Sequence, residues 1–226
     1  MKKLSILTII CFFVSLGAWA QKTTIDLEPF NELKVFDRIN VTLVKSSENT
    51  AIVTGDDQDG VKISNDNGLL KIRMDVTDFL DGDETFVELR YTENLELLDV
   101  NEGAKITSSE TLHNNFLNLR SQEGGQLNIA VDSRNLNAKA ISGGKIMVTG
   151  KAPNQEASIR SGGEYDAKNL SAKQTEVTVF AGGKAYVNSD EYVAANVTAG
   201  GRIEIFGNPE KVDEDKTLGG TIIMKK

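Results

Sequence analysis

The sequence predicts an all-β fold: a right-handed parallel β-helix, in which a single-stranded solenoid of about 19-residue rungs carries an irregular N-terminal β cap. Three observations support this prediction. Glycines recur at a regular spacing, apolar residues alternate with period two between them, and successive repeats align into columns of one chemical type. A single such repeat cannot bury its apolar side alone, so the repeats are expected to stack on one another.

The glycine bends define the period. The first glycines of the bends are Gly103, Gly124, Gly143, Gly162, Gly182, Gly200 and Gly219, and their spacings are 21, 19, 19, 20, 18 and 19 residues. Most are followed by a second glycine, at Gly125, Gly144, Gly163, Gly183, Gly201 and Gly220. Glycine reaches positive φ without steric cost, so we interpret all of these residues as structural bends. A phosphate-binding loop would instead need a following helix and a Lys-Ser or Lys-Thr pair.

The residues around the bends alternate between apolar and polar. After the bends, the first apolar column contains Ile106, Leu127, Ile146, Tyr165, Ala185, Ile203 and Ile222, and the next contains Ile129, Val148, Ala167, Val187, Ile205 and Met224. Another apolar column precedes the bends and contains Leu98, Leu119, Ala138, Ala157, Val177 and Ala195. Between the first two columns lies a mixed set that we expect to be mostly exposed: Asn128, Met147, Asp166, Tyr186, Glu204 and Ile223. Alternation with period two is typical of strands, so each repeat is predicted to contribute two short strands with right-handed connections.

Residues 25–100 lack the glycine pair but still alternate as strands do. The turn pairs Asp59-Gly60, Asn67-Gly68 and Asp81-Gly82 separate several of these segments. We expect hairpins or irregular first rungs that cover one end of the stack, because an open end exposes unpaired backbone. No linker rich in Pro or Ser interrupts the chain, so residues 21–226 are predicted to form a single domain, with the cap at 25–100 and the rungs at 98–226.

Residues 1–20 have the features of a secretory signal peptide. A basic start and an apolar run from Leu4 to Leu16 are followed by Ala18-Trp19-Ala20. We expect cleavage after Ala20 and export to the periplasm, the outer surface or the medium. The apolar run is shorter than the ~20 residues that span a bilayer, so no membrane span is expected after cleavage.

Composition excludes several classes of partner and cofactor. The only cysteine, Cys11, lies in the signal segment, so the mature chain can form neither a disulfide nor a thiolate metal site. The net charge of −8 argues against nucleic acid and anionic membranes as partners. His113 is the only histidine and lies in a predicted inter-repeat loop, so neither a catalytic histidine nor a histidine-based metal site is expected. No cofactor is expected.

Two glutamates are the sharpest candidates for chemistry. Glu102 and Glu123 each precede a glycine bend, so they are predicted to stack one rung apart. Carboxylates at so short a distance raise each other's pKa or bind a cation. Such a pair can act as acid and base in glycan cleavage. The alternative is that they are two exposed glutamates at adjacent bends.

Other surface features leave two interpretations open. The acidic clusters at Asp56, Asp57 and Asp59 and at Asp75, Asp78, Asp81, Asp83 and Glu84 are either solvated turns or calcium ligands. A column of Gln126, Lys145, Glu164, Lys184 and Arg202 is either a strip for an anionic polysaccharide or a solubilising edge. Tyr186 is the best single candidate for a surface contact.

The bend sequences resemble a known family. The chain resembles the putative auto-transporter adhesin family with a head GIN domain in its bends, its opening and its closing segment. The bends are Ser142-Gly143-Gly144, Ser161-Gly162-Gly163, Ala181-Gly182-Gly183 and Ala199-Gly200-Gly201. The opening segment is Phe30-Asn31-Glu32-Leu33-Lys34-Val35, and the closing segment is Ile205-Phe206-Gly207-Asn208-Pro209. The resemblance covers roughly residues 25–224. It implies a pectin-lyase-like right-handed β-helix, exported by gram-negative bacteria, without recognised catalytic residues and with a role in adhesion. Family members often have Gly-Ser-Gly at the bend, whereas Arg160 or Phe180 replaces the leading glycine here, so a slightly different bend geometry is expected.

The functional expectation is therefore a non-enzymatic cell-envelope protein, an adhesin or scaffold whose partner is an unidentified surface glycan or protein. The alternatives are a polysaccharide lyase or hydrolase that uses Glu102 and Glu123, a glycan-binding protein that uses the lateral face, and a periplasmic assembly or sensing partner. The oligomeric state is left open.

Overall fold

The computed structural model describes residues 22–75 and 85–225. The predicted signal segment, the Asp81-Gly82 turn and all of the second acidic cluster except Asp75 lie outside these residues. The described residues form one wound 17-stranded sheet and a short 3-10 helix at Gln58–Gly60. None of the elements in these two ranges is a helix of the length and apolarity that crosses a membrane.

The strands fall into two groups. The N-terminal strands are β1 Lys22–Asp26, β2 Glu32–Val35, β3 Asn40–Lys45, β4 Thr50–Thr54, β5 Val61–Asp66, β6 Leu69–Met74, β7 Phe86–Tyr91 and β8 Leu97–Val100. The repeats are built from β9 Lys105–Ser121, β10 Gln126–Ala140, β11 Lys145–Lys151, β12 Asn154–Arg160, β13 Glu164–Phe180, β14 Lys184–Thr198, β15 Arg202–Gly207, β16 Lys211–Thr217 and β17 Thr221–Met224.

The repeats form a parallel β-solenoid of about seven turns with rungs about 19 residues apart, which confirms the predicted fold class. All neighbouring residues of the column that runs from Ile106 to Ile222 are direct register partners. The column that precedes the bends, from Leu98 to Ala195, is equally continuous. The inward side chains merge into one buried cluster that extends from Phe30 to Ile222.

The prediction of two short strands per repeat is wrong for most rungs. Strands β9, β10, β13 and β14 each run for 15 to 17 residues from one glycine bend to the next. They turn the second corner through register shifts, for example between Ala167 and Ala172, instead of breaking. Strands β11 and β12 are separate, at Ala152 and Pro153, and β15 and β16 are separate at residues 208–210, which include Pro209. Both interruptions contain a proline, which has no N–H to donate to the ladder.

Each bend has positive φ at its two central residues, and the bends at Gly200 and Gly219 also have it at the second glycine, Gly201 (φ 119°) and Gly220 (φ 118°). The residue before the first glycine is left-handed as well as the glycine itself, as in Glu123 (φ 52°) and Gly124 (φ 78°). Positive φ at both central residues is the geometry of a type I′ turn, and the N–H of Gly125 closes it by donating to the carbonyl of Gln122 at 2.8 Å. Bends in neighbouring rungs bond to each other, since the N–H of Gly143 donates to the carbonyl of Ser161 at 3.3 Å. The bends therefore form one continuous edge of the solenoid.

The N-terminal part contains both hairpins and irregular rungs, as predicted, but its rungs are not in chain order. Strand β2 pairs in parallel with β6 on one side and β8 on the other, and β3 likewise lies between β7 and β9. The rung made by β6 and β7 thus lies outside the rung made by β2 and β3. Antiparallel pairing adds β5 to β6, β4 to β7 and β1 to β4, and these additions form the cap.

The last described rung ends the apolar columns with charges. Glu214 is the register partner of Ala195 and Lys216 is the partner of Val197, so both occupy inward positions. Their side chains form an ion pair of 2.9 Å. Met224, expected in an apolar column, is 44% exposed because no described rung covers it.

A polar network crosses the interior of the middle rungs. Tyr165 lies in its predicted inward column and is fully buried. Its hydroxyl donates to Gln155 Oε1 at 3.0 Å, and Gln155 Nε2 donates to Thr175 Oγ1 at 2.8 Å. Burial raises the pKa of the Tyr165 hydroxyl, so it remains protonated and continues to donate.

Candidate functional site

The bend edge brings three carboxylates into one line. The bends at Glu102 and Glu123 are adjacent, because the N–H of Gly103 donates to the carbonyl of Glu123 at 3.0 Å. The structure adds Asp37, whose bend stacks on the other side: the N–H of Arg38 donates to the carbonyl of Glu102 at 3.0 Å. Sequence reasoning missed Asp37 because this bend has no glycine, although Asp37 and Arg38 both have positive φ. The available signal was a polar Asp-Arg pair between two alternating segments.

These carboxylates form one wall of an open cavity of about 1120 Å³. The remaining walls come from β2 and from the β5–β6 hairpin. Residues of those walls that line the cavity are Lys34, Phe36, Ser64, Lys71, Arg73 and Met74. The cavity exists because the rung of β6 and β7 lies outside that of β2 and β3, which places the hairpin beside the bend edge.

Asp37 and Glu102 interact through their side chains. Asp37 Oδ2 accepts a hydrogen bond from the backbone N–H of Met74 at 2.8 Å. The hydrogen bond between the Glu102 and Asp37 side chains raises the pKa of Glu102, and partial burial and the negative charges of Asp37 and Glu123 raise it further. Glu102 therefore interacts chiefly with Asp37, and the predicted Glu102–Glu123 pair contributes the smaller charge effect.

The cavity also carries positive charge. Lys34 lies next to Lys71 in the register of β2 and β6, and Lys34 Nζ is 3.5 Å from Asp99 Oδ2. Asp99 is nearly fully buried and accepts a hydrogen bond from Asn101 Nδ2 at 3.1 Å. The cavity thus presents hydrogen-bonding groups of both charges, which suits a polar ligand, and it contains a glutamate whose pKa is raised.

Two other predicted candidates are less available than expected. Tyr186 is only partly exposed, and Lys168 Nζ lies 5.6 Å from the centre of its ring. His113 lies in strand β9, so its predicted location in a loop is wrong. Its Nδ1 is 3.8 Å from Asp132 Oδ2, which also binds Lys151 Nζ at 3.1 Å.

The charged column after the bends is aligned as predicted, with Gln126, Lys145, Glu164, Lys184 and Arg202 as successive register partners. The neighbouring outward column is less exposed than expected, because Glu204 is 8% exposed. Arg202 Nε lies 2.6 Å from Glu204 Oε1 and Lys225 lies 3.4 Å from Glu204 Oε2. These cations lower the pKa of Glu204, chiefly through the Arg202 hydrogen bond. Glu204 therefore neutralises the charge of Arg202, at one end of the charged column.

Within residues 22–75 and 85–225, no group of three or more His, Cys, Asp or Glu side chains is arranged to hold a metal ion. Asp57 caps the 3-10 helix at Gln58–Gly60, with no side-chain hydrogen bond to it. The first acidic cluster therefore lies at a turn.

Both the sequence and the fold are similar to those of known proteins. Residues 29–209 match the family described as putative auto-transporter adhesin, head GIN domain, in agreement with the resemblance of the bends. The fold is similar to that of a putative adhesin from Bacteroides fragilis, with 18% identity, a TM-score of 0.84 and coverage of 92% of this chain and 98% of that one. No curated protein matches the sequence.

Two structures from Parabacteroides distasonis are also similar in fold. A putative lipid binding protein has 18% identity and a TM-score of 0.69 over 93% of this chain and 98% of that one. A putative adhesin has 20% identity and a TM-score of 0.68 over 92% of this chain and 98% of that one. At such identities these comparisons establish the fold and nothing more.

Proposed function

Since the chain belongs to the putative auto-transporter adhesin, head GIN domain family, we propose that it is an exported, non-catalytic adhesion protein that binds its partner with the side of a rod. The observation that carries the proposal is the unbroken register of the outward columns. Residues from Asn128 to Ile223 are consecutive partners through six rungs, so the side of the rod repeats the same geometry.

Rigidity supports this role. Except for Met224 at one end, the inward columns on both sides of the bends are almost fully buried, and the bends are bonded to one another along the edge. A surface that is already ordered loses little conformational freedom on binding, and a preorganised surface therefore gains affinity. Repeat solenoids commonly use such extended lateral surfaces for binding.

The adhesion proposal is tested with the purified mature chain attached to beads. Cells, cell-surface glycans and matrix proteins are passed over the beads, and retention is measured against beads that carry the heat-unfolded chain. We expect saturable retention by the folded chain alone. Equal retention on both kinds of beads, or none on either, would contradict adhesion.

The export proposal needs a separate measurement. Intact cells that express the full chain are treated with protease, and the chain is followed by immunoblot before and after lysis. Surface exposure predicts digestion in intact cells, alongside protection of a cytoplasmic control protein. A chain that is protected until both membranes are opened contradicts surface exposure.

Glycan cleavage is the second candidate function, and the raised pKa of Glu102 beside Asp37 favours it. A carboxyl that keeps its proton can act as a general acid, and a neighbouring carboxylate can act as the base. The wild type, Glu102→Gln and Asp37→Asn are incubated with polysaccharides, and new reducing ends are counted. Activity that both variants lose would support a hydrolase, whereas a wild type without activity eliminates this candidate.

A further inference from the structure

A second cavity lies on the lateral sheet face that precedes the bends. It has a volume of about 550 Å³ and crosses β9, β10, β12, β13 and β14. Two outward columns form its floor, and their residues are consecutive register partners. The first column is Phe116, Asn135, Asn154, Gln174 and Tyr192, and the second is Asn118, Asn137, Glu156, Glu176 and Ala194.

The floor is a ladder of side-chain amides. Each amide offers an NH₂ donor and a carbonyl acceptor, and successive rungs repeat them at intervals of ~4.8 Å. Asn154 Nδ2 donates to Asn135 Oδ1 at 3.1 Å, and Asn135 Nδ2 donates to the carbonyl of Asn115 at 3.3 Å, so the ladder is held in position. The Asn137 side chain is exposed and faces the cavity. This surface suits a ligand with paired donors and acceptors, such as hydroxyl groups.

Aromatic rings lie at both ends of the ladder. Phe116 is 66% exposed, so its ring is available for contact with a ligand. At the other end, the Tyr192 hydroxyl donates to Asp213 Oδ2 at 2.8 Å, and Lys211 Nζ lies 5.3 Å from its ring centre. The Tyr192 ring is therefore held in place. An apolar ring beside a row of amides matches a sugar ring, which has an apolar C–H face and a hydroxyl edge.

The charge of the cavity limits the sugars that fit it. Glu156 and Glu176 are both exposed, and no lysine or arginine is among the described residues that line the cavity. A chain of uronic acids or sulfated sugars would place like charges against these carboxylates. The cavity therefore favours a neutral carbohydrate and disfavours an anionic one.

We propose that this groove binds an uncharged carbohydrate chain that lies along the rod axis, with sugar rings on Phe116 and Tyr192 and hydroxyls on the amide ladder. The inference rests on the proposed adhesive function and names its ligand class. It differs from the expectation of an anionic polysaccharide on the strip of Lys145 and Lys184, which lies on the strands after the bends.

Binding is measured with dextran, mannan and xylan as uncharged probes and polygalacturonate as the anionic probe, by affinity electrophoresis of the mature chain. We expect retardation by at least one uncharged polysaccharide and none by polygalacturonate. Phe116→Ala and Asn154→Ala should each weaken the interaction about tenfold. Phe86→Ala is the matched control, because Phe86 is also a large exposed aromatic residue, at 50%, but lies in strand β7, outside the groove.

The outcomes separate the ligand class from adhesion itself. Retardation that Phe116→Ala weakens and Phe86→Ala preserves, with thermal unfolding unchanged in both, supports the inference. Preference for polygalacturonate, equal loss in both variants, or no retardation by any probe overturns it. If no probe retards the protein but the beads still retain cells, the adhesion proposal stands and only the carbohydrate inference fails.

Discussion

A β-carbon added to Gly125 would lie 2.5 Å from the backbone carbonyl oxygen of Val100 in the preceding rung. The neighbouring Gly124 has φ of +78° and nothing within 4 Å of the same position. The two glycines of one bend are thus required for different reasons. Gly124 supplies a left-handed backbone conformation, and Gly125 allows two rungs to approach each other.

Alanine at these two positions should destabilise the protein unequally. Gly124→Ala is expected to lower the free energy of unfolding by about 1 kcal/mol, the penalty for a left-handed L-residue. Gly125→Ala should lower it by about 3 kcal/mol, because backbone has to move to relieve the overlap. Urea denaturation measures both, and Gly124→Asn is the control, since asparagine tolerates the left-handed conformation. Equal losses in the two alanine variants would show that the close approach to Val100 is unimportant.

Removal of the Tyr165 hydroxyl should leave Gln155 without its partner. Tyr165→Phe is predicted to reduce the free energy of unfolding by about 1–3 kcal/mol, because the buried Gln155 Oε1 then accepts no hydrogen bond. Gln155→Leu combined with Tyr165→Phe should be less destabilising than the sum of the single changes. A double-mutant cycle by thermal or urea unfolding measures the coupling, and strict additivity would show that the hydroxyl and the amide do not interact.

Glu102→Gln should stabilise the protein at neutral pH. Because the folded-state pKa of Glu102 is raised, the native state binds its proton more tightly than the unfolded chain, and stability falls as pH rises through the ordinary Glu range near about 4. Glutamine does not ionise, so the variant keeps its stability as pH rises. Its free energy of unfolding at neutral pH should exceed that of the wild type by less than about 1 kcal/mol, since the site is exposed. Unfolding is measured from about pH 4 to about pH 7. If the stability advantage of Glu102→Gln over the wild type shrinks as pH rises, the raised pKa of Glu102 is contradicted.

The charged last rung should limit end-to-end association. Glu214 and Lys216 occupy inward positions at an exposed edge, and inward charges are a known protection of edge strands. The double change to valine, Glu214→Val with Lys216→Val, should produce dimers or larger species by analytical ultracentrifugation. Asp215→Val tests specificity, because Asp215 is on the same strand but is the partner of the outward Asn196. Association of the Asp215→Val protein to the same extent would assign the effect to strand hydrophobicity alone.

The sequence by itself determined the stacking of the repeats. Alternation with period two assigns each residue to a face, and a slip of one residue would expose every inward side chain, so the columns of Leu127 and Leu119 have one workable register. The regular glycines mark the corners for the same reason, because few residues adopt the left-handed conformation there. These are local properties, and they can be read from neighbouring residues along the chain.

Only the tertiary structure decided which distant segments meet. The order of the N-terminal rungs places the β5–β6 hairpin beside the bends, and with it Met74 beside Asp37. The Asp37–Glu102 pair arises in the same way, from strands brought together by packing. Local patterns set the conformation and face of each residue, whereas the choice of partner depends on how all the buried surfaces fit together, which no single segment encodes.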